Sequence, residues 1–142
     1  MKTRLVPLLA AAALLLLPAV HARGQGVVKI QGADRRASTT YQTNTLVARS
    51  GGAKLYSVSG YNFAGVDQYI FILNTNVVPA NGTFASSVPP ILVPAGANFS
   101  YTEDNGLVMS TGITVISSTT AATLTKGAAD CTFLCTWRDG AN

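Results

Sequence analysis

Apolar residues in this chain recur in short runs bounded by Gly, Pro, Asn and Ser, and many of them alternate with polar residues. Beyond residue 22, no stretch of about ten residues places its apolar side chains at helical spacing. Short runs between turn residues predict strands. The predicted strands are 27–31, 43–48, 54–61, 68–73, 88–93, 98–102, 107–110, 112–117, 121–125 and 131–138.

Two of these runs indicate where their strands lie in a sheet. Residues 68–73, QYIFIL, are apolar on both faces, which predicts a central strand covered on both sides. Residues 88–94, VPPILVP, contain three prolines that cannot donate to a ladder, so they predict an edge strand or one interrupted by kinks.

Asparagine-glycine pairs are the strongest turn signals in the chain. Asn81-Gly82 and Asn105-Gly106 suit turns that need a positive φ, and the second predicts a tight hairpin between 98–102 and 107–110. Eight or so strands with no helix between them predict an all-β fold, a single antiparallel β-sandwich or jelly-roll-like domain.

The first 22 residues have a different character. Lys2 and Arg4 precede an apolar run over residues 5–20, and small residues follow, a pattern that predicts a secretory signal helix cleaved after Ala22. A membrane anchor is the alternative, but the run contains two prolines and is shorter than the roughly 20 residues that span hydrocarbon. The expected location is therefore secreted, periplasmic or at the cell surface.

After the signal segment, the sequence divides into two parts. Residues 23–40 are polar and Gly-rich, which predicts a mobile arm or a strand exchanged with a neighbour. Residues 41–142 form the predicted sandwich domain. Edge strands of such a domain offer a route to strand addition between subunits.

Charge and histidine content narrow the function. Cleavage after Ala22 removes two basic residues and lowers the formal charge from +4 to +2, which is not the balance of a nucleic-acid binder, and Arg35-Arg36 fits a solvated loop. His21, the single histidine, is lost with the signal segment. Histidine-dependent nucleophiles and most zinc sites need imidazole, so we predict no enzyme, no catalytic residue, no metal and no cofactor.

Cys131 and Cys135 lie four positions apart in the last predicted strand. On a straight strand they are about 13 Å apart, whereas a disulfide needs Cα atoms within about 7 Å. Phe133 and Trp137 share their face, which predicts two buried core thiols. An intermolecular disulfide, or a bend that lets the two cysteines meet, stays open because export exposes thiols to oxidation.

Other polar and aromatic residues have weaker functional interpretations. Adjacent Glu103 and Asp104 fit a solvated turn better than a carboxylate pair for glycoside hydrolysis, and Asp67 and Asp130 lack calcium-loop spacing. Two Asn-x-Ser/Thr sequons begin at Asn81 and Asn98. Five aromatic residues are candidates for a sugar-stacking platform or for core packing: Tyr56, Tyr61, Phe63, Tyr69 and Tyr101.

From residue 54 to residue 133 the segments KLYSVSGYNFAGVDQYIFILNT, VPANGTF, VPAGANFSY and STGITVISSTTAATLTKGAADCTF resemble small uncharacterised β-sandwich proteins of tailed bacteriophages and prophages. The resemblance implies a virion-associated component without catalytic residues. The predicted signal segment departs from it, since phage virions assemble in the cytoplasm.

We therefore predict a non-enzymatic structural or interaction protein, an exported β-sandwich that self-assembles or decorates a larger protein or glycan surface. The expected partner is a second copy of the chain or that surface. No nucleic acid is expected, and no membrane once the signal segment is removed. The alternative is a secreted carbohydrate- or ligand-binding module.

Overall fold

The computed structural model of the protein describes residues 34–82 and 86–140. Within these residues every long regular element is a strand. The eight strands are β1 (Arg35–Ser38), β2 (Thr45–Arg49), β3 (Ala53–Asn62), β4 (Gln68–Leu73), β5 (Ile91–Val93), β6 (Asn98–Met109), β7 (Ile113–Ser118) and β8 (Cys131–Asp139).

The strands form two four-stranded antiparallel sheets packed face to face. The first sheet has the order β1-β8-β3-β6 and the second sheet has the order β2-β7-β4-β5. Strands that follow one another in sequence therefore mostly alternate between sheets, which is the winding of a jelly roll. The protein is an all-β sandwich, as the sequence predicted.

The main core lies between the two inner faces. In β8 the buried side chains are Cys131, Phe133, Cys135 and Trp137, and the residues between them are half-buried. This period of two results from the pleat, which sends successive side chains to opposite faces. Leu55 and Val58 of β3 and Ile70 and Ile72 of β4 complete the packing from both sheets.

A second cluster covers the outer face of the second sheet. Phe71, Leu73 and Ile116 point away from the main core and pack with Leu124 of the β7–β8 loop. The β4–β5 loop joins this cover, since Gly82 N donates to Leu124 O. Two loops thus cover this face, which explains why β4 is buried on both sides, as predicted, and why all six residues of β7 are buried.

The hairpin predicted at Asn105-Gly106 is wrong. Residues 98–109 form one strand, β6, and its ladder with β3 shifts register between the pairs Leu55–Leu107 and Ser57–Thr102. The extra residues of β6 form a bulge, in which Gly106 adopts a φ of +74°. A Cβ at Gly106 would lie 2.9 Å from Cζ of Tyr56, so the tyrosine ring also requires glycine there.

The remaining strand predictions have mixed outcomes. Residues 91–93 form the edge strand β5, which confirms the interpretation of the proline-rich run. Residues 121–125 were predicted as a strand and instead belong to the β7–β8 loop. Strand β1 lies inside the segment predicted as an N-terminal arm and pairs with β8 of the same chain. The predicted strand 27–31 and the signal segment lie outside the described residues.

Candidate functional site

Four loops meet at one end of the sandwich. Cys131, the first residue of β8, exchanges two backbone hydrogen bonds with Thr43 on one side and pairs with Asn62 on the other. Phe63 N donates to Asp130 O, and Asn62 N donates to Ala97 O. These bonds bring together residues 39–44, 63–67, 94–97 and 127–130, which we call the loop tip.

The loop tip carries exposed apolar and aromatic side chains. Tyr41 is 73% exposed, Phe63 is 51% exposed and Val66 is 59% exposed. Tyr61, at the end of β3, packs beside Phe63 with ring centroids 4.4 Å apart and ring planes tilted by 58°. A group of large apolar side chains at the end of a domain is typical of an interaction surface, whereas single exposed apolar residues are not.

Asn62 holds the loop tip together from below. Its side chain is fully buried, and its Nδ2 group donates to Val66 O at 3.0 Å, Val93 O at 3.2 Å and Pro94 O at 3.1 Å. Its Oδ1 atom accepts from Ala64 N at 2.9 Å. One amide therefore fixes the β3–β4 loop against the β5–β6 loop, and no pattern in the sequence singled it out.

The charges of the loop tip are few and negative. Asp67 Oδ1 accepts a hydrogen bond from Ala95 N at 3.1 Å, next to the first residue of β4. Asp130 lies beside the first residue of β8. Segments 37–48 and 59–66, which contain Tyr41, Phe63 and Val66, have no charged residue.

The two cysteines lie below this surface as free, fully buried thiols. Burial raises the pKa of Cys131 to about 11, partly offset by a hydrogen bond with Ser117. Burial alone raises the pKa of Cys135 to about 12. Both thiols are thereby held in the unreactive protonated form, as expected for core packing.

The thiol pKa values predict a loss of stability at high pH. A pKa raised from 9.0 to about 12 at Cys135 means that the unfolded state loses its proton first, so stability is intact below pH 9 and falls above it. Each thiol contributes a slope of about 1.4 kcal/mol per pH unit until its folded pKa is reached. Urea unfolding between pH 8 and pH 10.5 in reductant measures this slope.

Cys135→Ala is the control for the alkaline slope. The two proteins differ only at residue 135, so the difference between the two slopes isolates the thiol. We expect the variant to be less stable at pH 8 and to lose less stability per pH unit above pH 9. Equal slopes would show that Cys135 is not a buried protonated thiol.

The aromatic residues that the sequence offered as a platform are not brought together. Tyr101 is half-buried against the main core, and its hydroxyl donates to Glu103 Oε2 at 3.2 Å. Tyr69 packs on the second cluster. The Tyr56 ring lies under Arg138, with the guanidinium carbon 4.9 Å from the ring centroid. Of the five, Tyr61 and Phe63 lie side by side at the loop tip.

The predicted acidic and sequon residues are dispersed. Glu103 and Asp104 lie in the bulge of β6 rather than in a hairpin turn. Asn81 is exposed, and its Oδ1 atom accepts from Lys126 N at 3.1 Å. Asn98 is the exposed first residue of β6.

The opposite end of the sandwich is closed by charged groups. Asp139 Oδ2 accepts a hydrogen bond from Arg35 Nε at 3.2 Å. Asp139 Oδ1 forms an ion pair with Arg49 Nε at 3.3 Å, without the alignment of a hydrogen bond. Arg35 belongs to the first sheet and Arg49 to the second, so this carboxylate links the two sheets. Val77 is 61% exposed in the β4–β5 loop.

The edge strands are short or interrupted. Strand β1 has four residues, β5 has three residues between Pro90 and Pro94, and β2 shifts register between Val47 and Arg49. The fourth edge strand, β6, is long but is broken by its acidic bulge. Short strands, prolines, bulges and charges are the devices that prevent edge-to-edge pairing.

Among residues 34–82 and 86–140, no three His, Cys, Asp or Glu side chains come together as a set of metal ligands. In the same part of the chain, no helix has the length and apolar character needed to cross a bilayer.

Comparison with known proteins assigns neither a family nor a function to this chain. No family model matches the sequence, and no curated protein matches it. A solved structure of the coat protein of Tobacco streak virus is similar at 10% identity and a TM-score of 0.39, covering 81% of this chain and 92% of that chain. With so low a score, the jelly-roll assignment depends on the strand order of this chain itself.

Proposed function

We propose that this protein is a non-enzymatic structural protein, an exported β-sandwich that assembles with itself or decorates a larger surface. The observation that carries the proposal is the loop tip, where the apolar side chains of Tyr41, Phe63 and Val66 are exposed at one end of the sandwich. Interface centres are enriched in aromatic residues and depleted in charge, as this surface is. The jelly roll, which also builds viral capsid and lectin domains, supports the proposal by fold analogy.

The blunted edges indicate how such an assembly forms. Strand addition needs a long, flat and unprotected edge, and each of the four edge strands is short, bulged or flanked by proline. Contacts through loops avoid this requirement because they use side chains rather than free backbone groups. The resemblance of residues 54–133 to phage and prophage proteins supports a virion-like version of the role, and the predicted signal segment supports a cell-surface version.

Sedimentation velocity of the purified protein tests the proposal, with the intact mass recorded to establish whether the signal segment is present. We expect species larger than the chain's 14.7 kDa, with a fraction that rises with protein concentration. An apolar contact should persist in 1 M salt, where charge pairs are screened. A single monomeric species at every concentration, together with no partner in the native extract, would remove the proposal.

A carbohydrate-binding module is the second candidate. The pair of rings at Tyr61 and Phe63 favours it, since a ring pair at a domain end offers apolar area for a sugar face. Glycan-array binding that is lost on replacing Tyr61 by alanine would place this candidate ahead of self-assembly.

A further inference from the structure

We propose that Asn105 is a site of spontaneous covalent modification, where the side-chain amide is lost and isoaspartate forms. The sequence contains two Asn-Gly pairs, Asn81-Gly82 and Asn105-Gly106. Such a pair can close a succinimide ring, because glycine has no side chain to hinder the approach of its amide nitrogen. The structure distinguishes the two pairs. This chemistry belongs to the single chain, so it goes beyond the proposed assembly and does not depend on it.

The reaction needs no reactant other than water. The amide nitrogen of Gly106 loses its proton and attacks Cγ of Asn105, and the bond between Cγ and Nδ2 breaks with release of ammonia. Water then opens the succinimide at one of its two carbonyl groups. Opening at the side-chain carbonyl leaves aspartate, whereas opening at the backbone carbonyl leaves isoaspartate, in which the chain continues through the former side chain. Either product carries a carboxylate in place of a neutral amide.

Asn105 lies where the ladder between β3 and β6 is interrupted. The register of the two strands includes Thr102 and Leu107 but none of the residues between them. Strand β6 is also an edge strand, so it has a neighbour on one side only. Asn105 is exposed, and within the described part of the chain its side-chain amide has no hydrogen-bond partner. Water therefore reaches the amide that reacts, and no contact holds that amide away from Gly106.

Hydrogen bonds hold the other pair, Asn81-Gly82, in place. Gly82 N donates to Leu124 O at 2.8 Å, and Asn81 Oδ1 accepts from Lys126 N at 3.1 Å. The nucleophile and the amide that it would attack are thus each bound to the β7–β8 loop. Ring closure at this pair requires both bonds to break, which slows it. Asn81 is exposed like Asn105, so it is an internal reference with the same local sequence and similar access to water.

The modification changes the bulge of β6 in two ways. It places a new carboxylate directly after Glu103 and Asp104, where like charges repel one another. Isoaspartate also adds a methylene group to the backbone before Gly106, and a Cβ at Gly106 would already lie 2.9 Å from Cζ of Tyr56. We therefore expect the modified bulge to pack less closely on the tyrosine ring.

Peptide mapping by mass spectrometry tests the proposal on the full protein incubated at pH 8. Exchange of ammonia for water raises the mass of a modified peptide by about one dalton, and the isoaspartate form separates from the aspartate form in chromatography. We expect the peptide that contains Asn105 to convert at least about tenfold faster than the peptide that contains Asn81, because hydrogen bonds protect the second pair. In concentrated urea both pairs are unfolded, and the two rates should become similar.

Asn105→Gln and Asn81→Gln are a matched pair of variants, since glutamine would have to close a larger and less favourable ring. We expect Asn105→Gln to remove the fast conversion and Asn81→Gln to leave it unchanged, and both exposed positions should accept glutamine without loss of the fold. Equal rates at the two asparagines of the folded protein would overturn the proposal. It would also be overturned if Asn105 converted in urea but not in the folded protein, because the bulge would then hold the pair in an unreactive geometry.

Discussion

Replacing Gly60 by alanine should prevent the protein from folding or lower its free energy of unfolding by at least about 4 kcal/mol. A Cβ on Gly60 would lie 1.9 Å from Thr132 O in β8 and 2.7 Å from Cζ of Phe99 in β6. The first obstacle is backbone in the middle of a three-stranded ladder, so relief would require β3 and β8 to separate. Small domains are stable by only about 5–15 kcal/mol, so most of the margin would be lost.

The buried Trp137 gives a direct measurement of this effect, because urea unfolding moves it from the core into water. Gly65→Ala is the matched control. Gly65 has no atom within 4 Å of a Cβ and does not have a positive φ, so alanine there should be neutral or slightly stabilising. Adding Phe99→Ala to Gly60→Ala removes the ring but not Thr132 O, so we expect little recovery. Full recovery would show that ring crowding alone excludes a side chain at this position.

The strands that the sequence predicted well are those whose burial is regular. The run QYIFIL at 68–73 is apolar on both faces because the second sheet has the main core on one side and loop-covered Phe71 and Leu73 on the other. In β8, Cys131, Phe133, Cys135 and Trp137 alternate with residues of the opposite face, and this pattern correctly predicted that the four side chains share the buried face. In these elements the local pattern and the tertiary environment carry the same information.

The secondary-structure predictions were wrong where a short segment is compatible with two structures and residues distant in sequence decide between them. Gly106 takes a positive φ in the bulge of β6, and a hairpin turn would require the same residue type. Tyr56 and the pairing of β6 with the long strand β3 decide that Gly106 forms a bulge rather than a turn, and neither lies in the sequence around Gly106. Residues 121–125 have strand-like composition, but among their apolar residues only Leu124 is buried, over Phe71 and Ile116.

The loop tip was predictable only in part. Tyr61 and Phe63 were candidates from the sequence as aromatic residues, and Val66 lies in the same loop as Phe63. Tyr41 lies in a distant segment that the hydrogen bonds between Thr43 and Cys131 bring to the same end of the sandwich. The absence of charge from 37–48 and 59–66 was the available signal. Asn62 gave no signal, because an asparagine before a turn is common whether or not it is buried.

Replacing Asn62 by alanine should lower the free energy of unfolding by at least about 3 kcal/mol and loosen the loop tip. The change removes the donor shared by Val66 O, Val93 O and Pro94 O, together with the acceptor of Ala64 N. Buried backbone groups left without partners cost about 1–3 kcal/mol each, and water has no ready access to this site. Hydrogen exchange at the Ala64 amide reports the loop directly, and we expect it to lose protection below the unfolding transition.

Asn74→Ala is the matched control for Asn62→Ala, because Asn74 also joins two loops and makes several hydrogen bonds. Its Nδ2 group donates to Ser110 Oγ at 3.0 Å and its Oδ1 atom accepts from Thr111 N at 2.8 Å, but the residue is exposed and water can replace these bonds. We expect a loss of about 1 kcal/mol or less there. Equal losses at the two positions would mean that burial does not set the cost at Asn62. If Asn62→Ala kept Ala64 protected while the protein still assembled, the amide would not be what holds the loop tip in place.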